Sequence, residues 1–224
     1  MARALPVRIV TNATSVGSGR ILANLALRGF PVEASTFTTP LTQARRVLPG
    51  RGHARGVLVA EPETRRELSW FVEDPEGPAV LLAGEVQSLR IEELQPAFRR
   101  LLAGAAFYTV QKNRYFRREG RLVTDAGPLV AFLEYAAGAR AEVLGKPSAL
   151  LFDELARGAG VERRSMLMVG DDAEFDVSRP RQLGLEAVLV RTGKYRPGDE
   201  TRHDPGPTAM LGSVAELADW LGVP

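Results

Sequence analysis

The sequence predicts an α/β fold built on parallel strands, and three observations carry the prediction. Short apolar runs rich in Val, Ile and Leu recur from Val7 to Val190, with the two-sided hydrophobicity of buried parallel strands. Between them lie stretches whose apolar residues return at three- and four-residue spacing, the period of a helix packed on a sheet. The run Met166-Leu167-Met168-Val169 ends in Gly170-Asp171-Asp172, with Asp176 shortly after. A buried strand thus delivers carboxylates to the end where open α/β sheets hold their ligands.

Composition narrows the possible classes. With 224 residues and 45% hydrophobic content, the chain can bury one large or two modest cores. No run approaches the ~20 apolar residues of a membrane span, and Met1-Ala2-Arg3-Ala4-Leu5-Pro6 is not followed by the apolar segment of a signal peptide. No membrane partner is expected, and a cytoplasmic location is. Cysteine is absent, which excludes disulfides, thiolate metal sites and a thiol nucleophile. A net charge of +2, from 29 basic and 27 acidic residues, is too balanced to point to a polyanion. The base-and-aromatic run at 114–121 is short and isolated, so no nucleic-acid partner is expected. Lysine occurs only at Lys112, Lys146 and Lys194 in an arginine-rich chain, which makes each of those positions informative.

Taken in order, residues 7–10 read as a strand closed by Thr11-Asn12-Ala13-Thr14, which sets a hydroxyl and an amide at a strand end. Gly17-Ser18-Gly19 lacks the third glycine of a dinucleotide loop. It reads as a turn in which Ser18 caps a helix with Ile21, Leu22 and Leu25 on one face. From Thr36 to Gly127 the alternation runs on its own: helix 42–48, strand 56–60, helix 63–71, strand 78–84, helix 91–102 and strand 107–110, enough for a small α/β domain. A helix through Leu129 and Leu133 stops at Gly138, and residues 141–144 lead into Gly145-Lys146-Pro147-Ser148. Ser148 is placed to cap a helix through Leu151, Phe152 and Leu155, so Lys146 sits where a strand gives way to a crossover helix. After the acidic cluster, residues 187–190 form another strand. Neither Gly145-Lys146-Pro147 nor Gly193-Lys194-Tyr195 has the Ser or Thr that a phosphate loop needs. Ser213 and Glu216 form a capping box for a last helix with Leu217, Trp220 and Leu221 inward. His53 and His203 have no partner at ligand spacing and are expected at the surface.

Parallel strands joined by right-handed crossovers would bring Thr11, Lys146 and Asp171, each just past a strand, to one edge of one sheet. Asp171 and Asp172 repel each other unless a hard cation such as Mg²⁺ takes their oxygens. A hydroxyl donor, a fixed ammonium and a carboxylate-held Mg²⁺ are together the parts that hold a phosphoryl group and spread its charge. Receiver domains of signalling proteins use similar parts, but present the acidic pair before the threonine and lysine. Here the order is Thr, Lys, Asp-Asp.

In that order the motifs resemble the haloacid dehalogenase superfamily of phosphatases, in the branch with a large α/β cap inserted between the second and third motifs. Val10-Thr11-Asn12 is similar to motif two, Gly145-Lys146-Pro147 to motif three, and Gly170-Asp171-Asp172 through Asp176 to motif four. The resemblance extends through Phe37-Thr38-Thr39, Gly104-Ala105 and Thr192-Gly193-Lys194-Tyr195 to the group of haloacid dehalogenase-like hydrolase domain-containing proteins and phospholysine phosphohistidine inorganic pyrophosphate phosphatases. It implies an incomplete doubly wound, Rossmann-like core at 1–35 and 127–224, with an α/β cap at 36–126. It also implies that Thr11 and the Asn12 backbone bind phosphate and that Lys146 neutralises a phosphoaspartyl intermediate. Asp171 would ligate Mg²⁺, supported by Asp172 and Asp176. The implied partners are a small phosphorylated substrate and a second copy paired through the cap.

One family element is not found in the sequence: the Asp-x-Asp-Gly that carries nucleophile and general acid on a central strand. Its nearest imitation, Asp74-Pro75-Glu76-Gly77, reads as a turn. Two expectations follow. Either the protein is a phosphatase whose start lies upstream by about one βαβ-sized segment of roughly 30 residues, or it is a non-catalytic homologue that binds Mg²⁺, phosphate or a partner. At this level, whether the chain itself is an enzyme stays open. Without a strand between those of Val7 and Met166, the sheet is expected to be interrupted and the chain poorly stable.

Overall fold

The Val- and Leu-rich runs form strands, and the computed structural model describes residues 5–14, 17–84, 90–118 and 121–223. All strand pairings among these residues are parallel save that of one hairpin, because each connecting helix returns the chain to the end from which it started. Contacts divide the chain into two compact units, one of Arg8–Lys146 and one of the remainder, chiefly Pro147 onward. Among the described residues no helix is long and apolar enough to cross a membrane.

In the unit Arg8–Lys146, β1 (Ile9–Val10) pairs with β2 (Phe37–Thr38), and α1 (Ser18–Leu27) lies between them in sequence. Thr39 opens α2 (Pro40–Val47) through a capping box with Thr42, and proline in the first turn forfeits no helix hydrogen bond. A parallel five-stranded sheet has the order β4 (Val72–Glu73), β3 (Arg55–Ala60), β5 (Ala79–Ala83), β6 (Ala106–Thr109), β9 (Glu142–Val143). Its connections include α3 (Pro62–Glu67), α4 (Gln95–Leu102), the hairpin β7 (Tyr115–Arg118) and β8 (Arg121–Thr124), and α5 (Gly127–Ala137). Every residue of the central β5 is buried. Val80 and Leu82 of β5 pack with Val59, Phe107, Leu101 of α4 and Leu133 of α5, each such side chain contributing about 1.5–3 kcal/mol on burial.

α5 and β9 belong to this sheet: α5 packs into its core and β9 pairs with β6. The contact-defined unit therefore runs from Arg8 to Lys146. A strand of two residues leaves too little periodicity to be assigned to a sheet beforehand.

Glu134 on α5 accepts from Lys112 Nζ (2.6 Å) and from the Ala141 N–H (3.0 Å). Burial pushes its carboxyl pKa up, but the hydrogen bonds from Lys112 and Ala141, with the charge of Lys112, outweigh burial and hold it below the ordinary glutamate value. A carboxylate depressed on folding contributes stability above its unfolded pKa and loses it as pH falls through the folded one. Glu134→Gln is expected to cost roughly 0.5–1 kcal/mol at neutral pH. Thermal melts should show the gap to the unsubstituted protein closing as the solution is acidified through the carboxyl range.

The second unit contains α6 (Ala149–Ala159) and a three-stranded sheet in the order β10 (Leu167–Gly170), β11 (Glu186–Val190), β12 (Ala209–Leu211). A π-helical turn at Ala173–Ser178 runs into α7 (Arg179–Gln182), whose first turn accommodates Pro180, and α8 (Leu217–Leu221) follows β12. β11 is the buried strand: Ala187 and Leu189 face Val177, while Val188 and Val190 face Leu211.

Four expectations are corrected here. β10 is half-buried throughout rather than buried, because among the described residues it is the end strand of its sheet. Among the described residues β1, β9 and β10 lie in three different sheets, so Thr11, Lys146 and Asp171 do not follow strands of one sheet. In α8, Trp220 and Leu221 are 43% and 36% exposed rather than inward. Ser213 accepts from the Ala215 N–H, but Glu216 turns to the Gly212 N–H, which leaves the capping box unclosed.

Candidate functional site

In the unit Arg8–Lys146, β1 ends at Val10, and the Thr11 N–H extends its pairing to the Thr38 carbonyl (3.2 Å). Thr11 Oγ1 accepts from the Ala13 N–H (3.1 Å) in a tight turn, which leaves its O–H proton for another acceptor. Asn12 turns its side chain to Lys146: Nδ2 donates to the Lys146 carbonyl (2.8 Å) and Oδ1 accepts the Lys146 N–H (2.8 Å). The Asn12 N–H has no protein acceptor among the described residues. Lys146 arrives there because Leu144 and Gly145 continue the path of β9, donating to the carbonyls of Thr109 (2.9 Å) and Val110 (3.0 Å). Glycine is required at 145: a Cβ would lie 2.6 Å from the Val110 carbonyl oxygen and 2.7 Å from Asn12 Oδ1.

α1 starts just past this loop. Among the described residues no local side chain caps it. Instead the carboxylate of Glu67, at the end of α3, accepts the Ser18 N–H at 3.2 and 3.3 Å and also the Ser18 hydroxyl. The expected local cap at Ser18 is thus replaced by a distant carboxylate, whose charge suits the helix N-terminus. No α1 residue is fully buried; the expected Ile21, Leu22 and Leu25 face is half-buried.

In the second unit, the end of β10 carries the acidic cluster. Asp171 Oδ2 accepts the Lys194 N–H (2.7 Å). Gly193 brings that N–H into place at φ 59°, where a Cβ would overlap the Asp171 carboxylate. Asp172 caps the π-helical turn, with Oδ1 accepting from the Glu174 (3.2 Å) and Phe175 (3.0 Å) N–H groups, and its Oδ2 meets Lys194 Nζ at 3.1 Å. Asp176 is buried, donates its N–H to the Asp172 carbonyl (2.8 Å) and accepts the Asp172 N–H (3.4 Å). The Lys194 side chain is largely exposed by area, yet the protein around its ammonium desolvates it, which lowers its pKa. Asp172, with Asp176 and Asp171 behind it, more than offsets this and holds the group above the ordinary lysine value.

The donor set fits a hard cation. Asp171 keeps one oxygen without a protein hydrogen bond among the described residues. No group of three carboxylates or imidazoles that could hold a metal ion forms among those residues. Mg²⁺ does not need one, since it characteristically takes one or two carboxylates and completes its shell with water and substrate phosphate. Asp176 is placed to brace the turn, and Asp172 divides its oxygens between the helix start and Lys194.

Sequence reasoning assigns two of these participants, Lys194 and Glu67, no role at the site. Lys194 fails the phosphate-loop reading, although its rarity as a lysine is a signal. Glu67 gave none. The amide of Asn12 was visible, but its partner, Lys146, lies at a separation no local pattern can show. His53, expected at the surface, is half-buried, with Nδ1 2.8 Å from the Tyr108 hydroxyl.

Comparison with known proteins bears on the whole chain. A family model described as HAD-hydrolase-like, HAD standing for haloacid dehalogenase, matches residues 143–217. The chain is 35% identical over 221 residues to haloacid dehalogenase-like hydrolase domain-containing protein 2 of Bos taurus, covering 98% of this chain and 84% of the relative. It is 32% identical over 220 residues to human phospholysine phosphohistidine inorganic pyrophosphate phosphatase, covering 97% and 80%. Among solved structures, a 4-nitrophenylphosphatase from Thermotoga maritima superposes with a TM-score of 0.83 at 26% identity, covering 95% of this chain and 83% of that one. A glycerol phosphate phosphatase from Mycobacterium tuberculosis, solved in complex with magnesium, shares the fold with a TM-score of 0.80 at 23% identity, covering 95% and 67%.

Proposed function

This chain belongs to the haloacid dehalogenase-like hydrolase family, and on that premise we propose that it is a Mg²⁺-dependent phosphatase for a small phosphorylated substrate, its attacking carboxylate lying outside these 224 residues. The observation that carries the reading is Asp171, set at the C-terminal end of a parallel strand, held through one oxygen by the Lys194 N–H and open at the other. Asp171 would hold Mg²⁺ with Asp172 beside it, and Asp176 would fix the turn that presents them. The bound ion supplies a Lewis acid that draws charge from phosphoryl oxygens. The Thr11 O–H and Asn12 N–H would donate to phosphate oxygens, and Lys146 would balance their charge. On the same reading residues 36–126, which carry β3 to β6, are the cap, and residues 1–35 and 127–224 are a doubly wound core that lacks one strand.

Mg²⁺ and inorganic phosphate binding, followed by calorimetry, and hydrolysis of 4-nitrophenyl phosphate test this. The chain is expected to bind both ions without turnover. A form extended upstream in its reading frame to an Asp-x-Asp-Gly should hydrolyse the ester with Mg²⁺ and stop in EDTA. Turnover by the 224 residues alone would overturn the placement of the nucleophile. Failure of either form to bind Mg²⁺ or phosphate would overturn the phosphatase reading. An extended form that binds both ions and stays inert would instead support a non-catalytic homologue that binds phosphate and Mg²⁺.

A further inference from the structure

We propose that Asn12 is a positioning residue for Lys146: its side-chain amide grips the Lys146 main chain from both sides and so fixes where the lysine presents its ammonium. The inference rests on the reading of Lys146 as the cation that faces bound phosphate.

The contact is a reciprocal pair, with Nδ2 donating to the Lys146 carbonyl and Oδ1 accepting its N–H, both at 2.8 Å. Among side chains that could stand at position 12, asparagine carries a donor and an acceptor at the spacing of a peptide group. Aspartate would lose the donation and turn a charged oxygen toward the Lys146 carbonyl; alanine and serine are too short to bridge.

The position of the contact argues against a purely structural role. Leu144 and Gly145 are already fixed by their bonds to Thr109 and Val110, so the sheet does not depend on Asn12 for its pairing. The amide acts one residue further on, at the lysine itself. A lysine stem is long and flexible, so the position of its root in the backbone sets which places the ammonium can reach. Asn12 also follows Thr11 directly, and the clamp sets the spacing between the Thr11–Asn12 donors and Lys146. An anion held by several donors requires that spacing to be constant.

The test is a double-mutant cycle on inorganic phosphate affinity, measured by titration calorimetry in the presence of Mg²⁺. Asn12→Ala keeps the main-chain N–H, so it reports on the side chain alone. Lys146→Met is expected to weaken phosphate binding by about tenfold or more, as loss of a charge-assisted hydrogen bond does. Asn12→Ala should weaken it several-fold in the unsubstituted chain and have no further effect when added to Lys146→Met. Equal losses in both backgrounds, or no loss in the unsubstituted chain, would overturn the proposal while leaving the reading of Lys146 intact. An unchanged affinity in Lys146→Met would overturn that reading and this inference with it. Thermal melts check that each variant folds; should Asn12→Ala fail, Asn12→Ser carries the same cycle.

Discussion

Gly145→Ala is expected to destabilise the protein by about 1–3 kcal/mol, the usual cost of forcing atoms into a filled site, seen as a fall of several degrees in the thermal midpoint. The added Cβ would meet the Val110 carbonyl oxygen at 2.6 Å, Asn12 Oδ1 at 2.7 Å and Pro40 Cγ at 2.8 Å. The Asn12 amide can swing away, but the Val110 carbonyl accepts the Gly145 N–H and cannot move without breaking the continuation of β9 along β6. The variant should therefore lose stability and the hold on Lys146 together. A midpoint equal to that of the unsubstituted protein would show that the segment shifts freely, contrary to the packing described.

Asp171→Asn should weaken Mg²⁺ binding at least about tenfold, a loss that removing only an outer-shell partner of a metal ligand can reach. The substitution keeps an oxygen to accept the Lys194 N–H but removes the charge that the cation requires. Without metal the fold should be undamaged, and easing the repulsion with Asp172 should leave the midpoint in EDTA unchanged or slightly raised. Calorimetric titration of Mg²⁺, paired with melts in EDTA, separates these effects. Undiminished Mg²⁺ affinity would remove Asp171 from the metal site.

Much of the fold was legible because its strands announce themselves locally. Residues 79–83 and 187–190 are apolar on both faces, and the structure buries them on both. β10 reads the same way in sequence yet is half-exposed, since burial of an apolar strand depends on neighbours that its own residues do not specify. The acidic cluster was legible for the opposite reason: adjacent carboxylates after a strand make an electrostatic demand visible at the level of composition. The Glu67 cap on α1 and the amide grip of Asn12 were not legible. Each is a polar side chain answering a distant main-chain group, and Ser18 offered a plausible local answer that the structure declines. α8 misled for a related reason: Leu217 packs against Val188, Val190 and Leu211, but the same apolar spacing leaves Trp220 and Leu221 exposed.

The hydrogen bonds between Asn12 and Lys146 join residues 134 apart in sequence, and this has a consequence for the order of folding. Closing so long a loop carries an entropic cost that is recovered only when many contacts form together. The helices and successive strand pairings between these residues are far more local, so they can assemble before the loop closes. The clamp is then among the last native features to form and among the first to be lost. A chain with full helical content could thus still lack a fixed Lys146, and phosphate affinity would register that state before circular dichroism did.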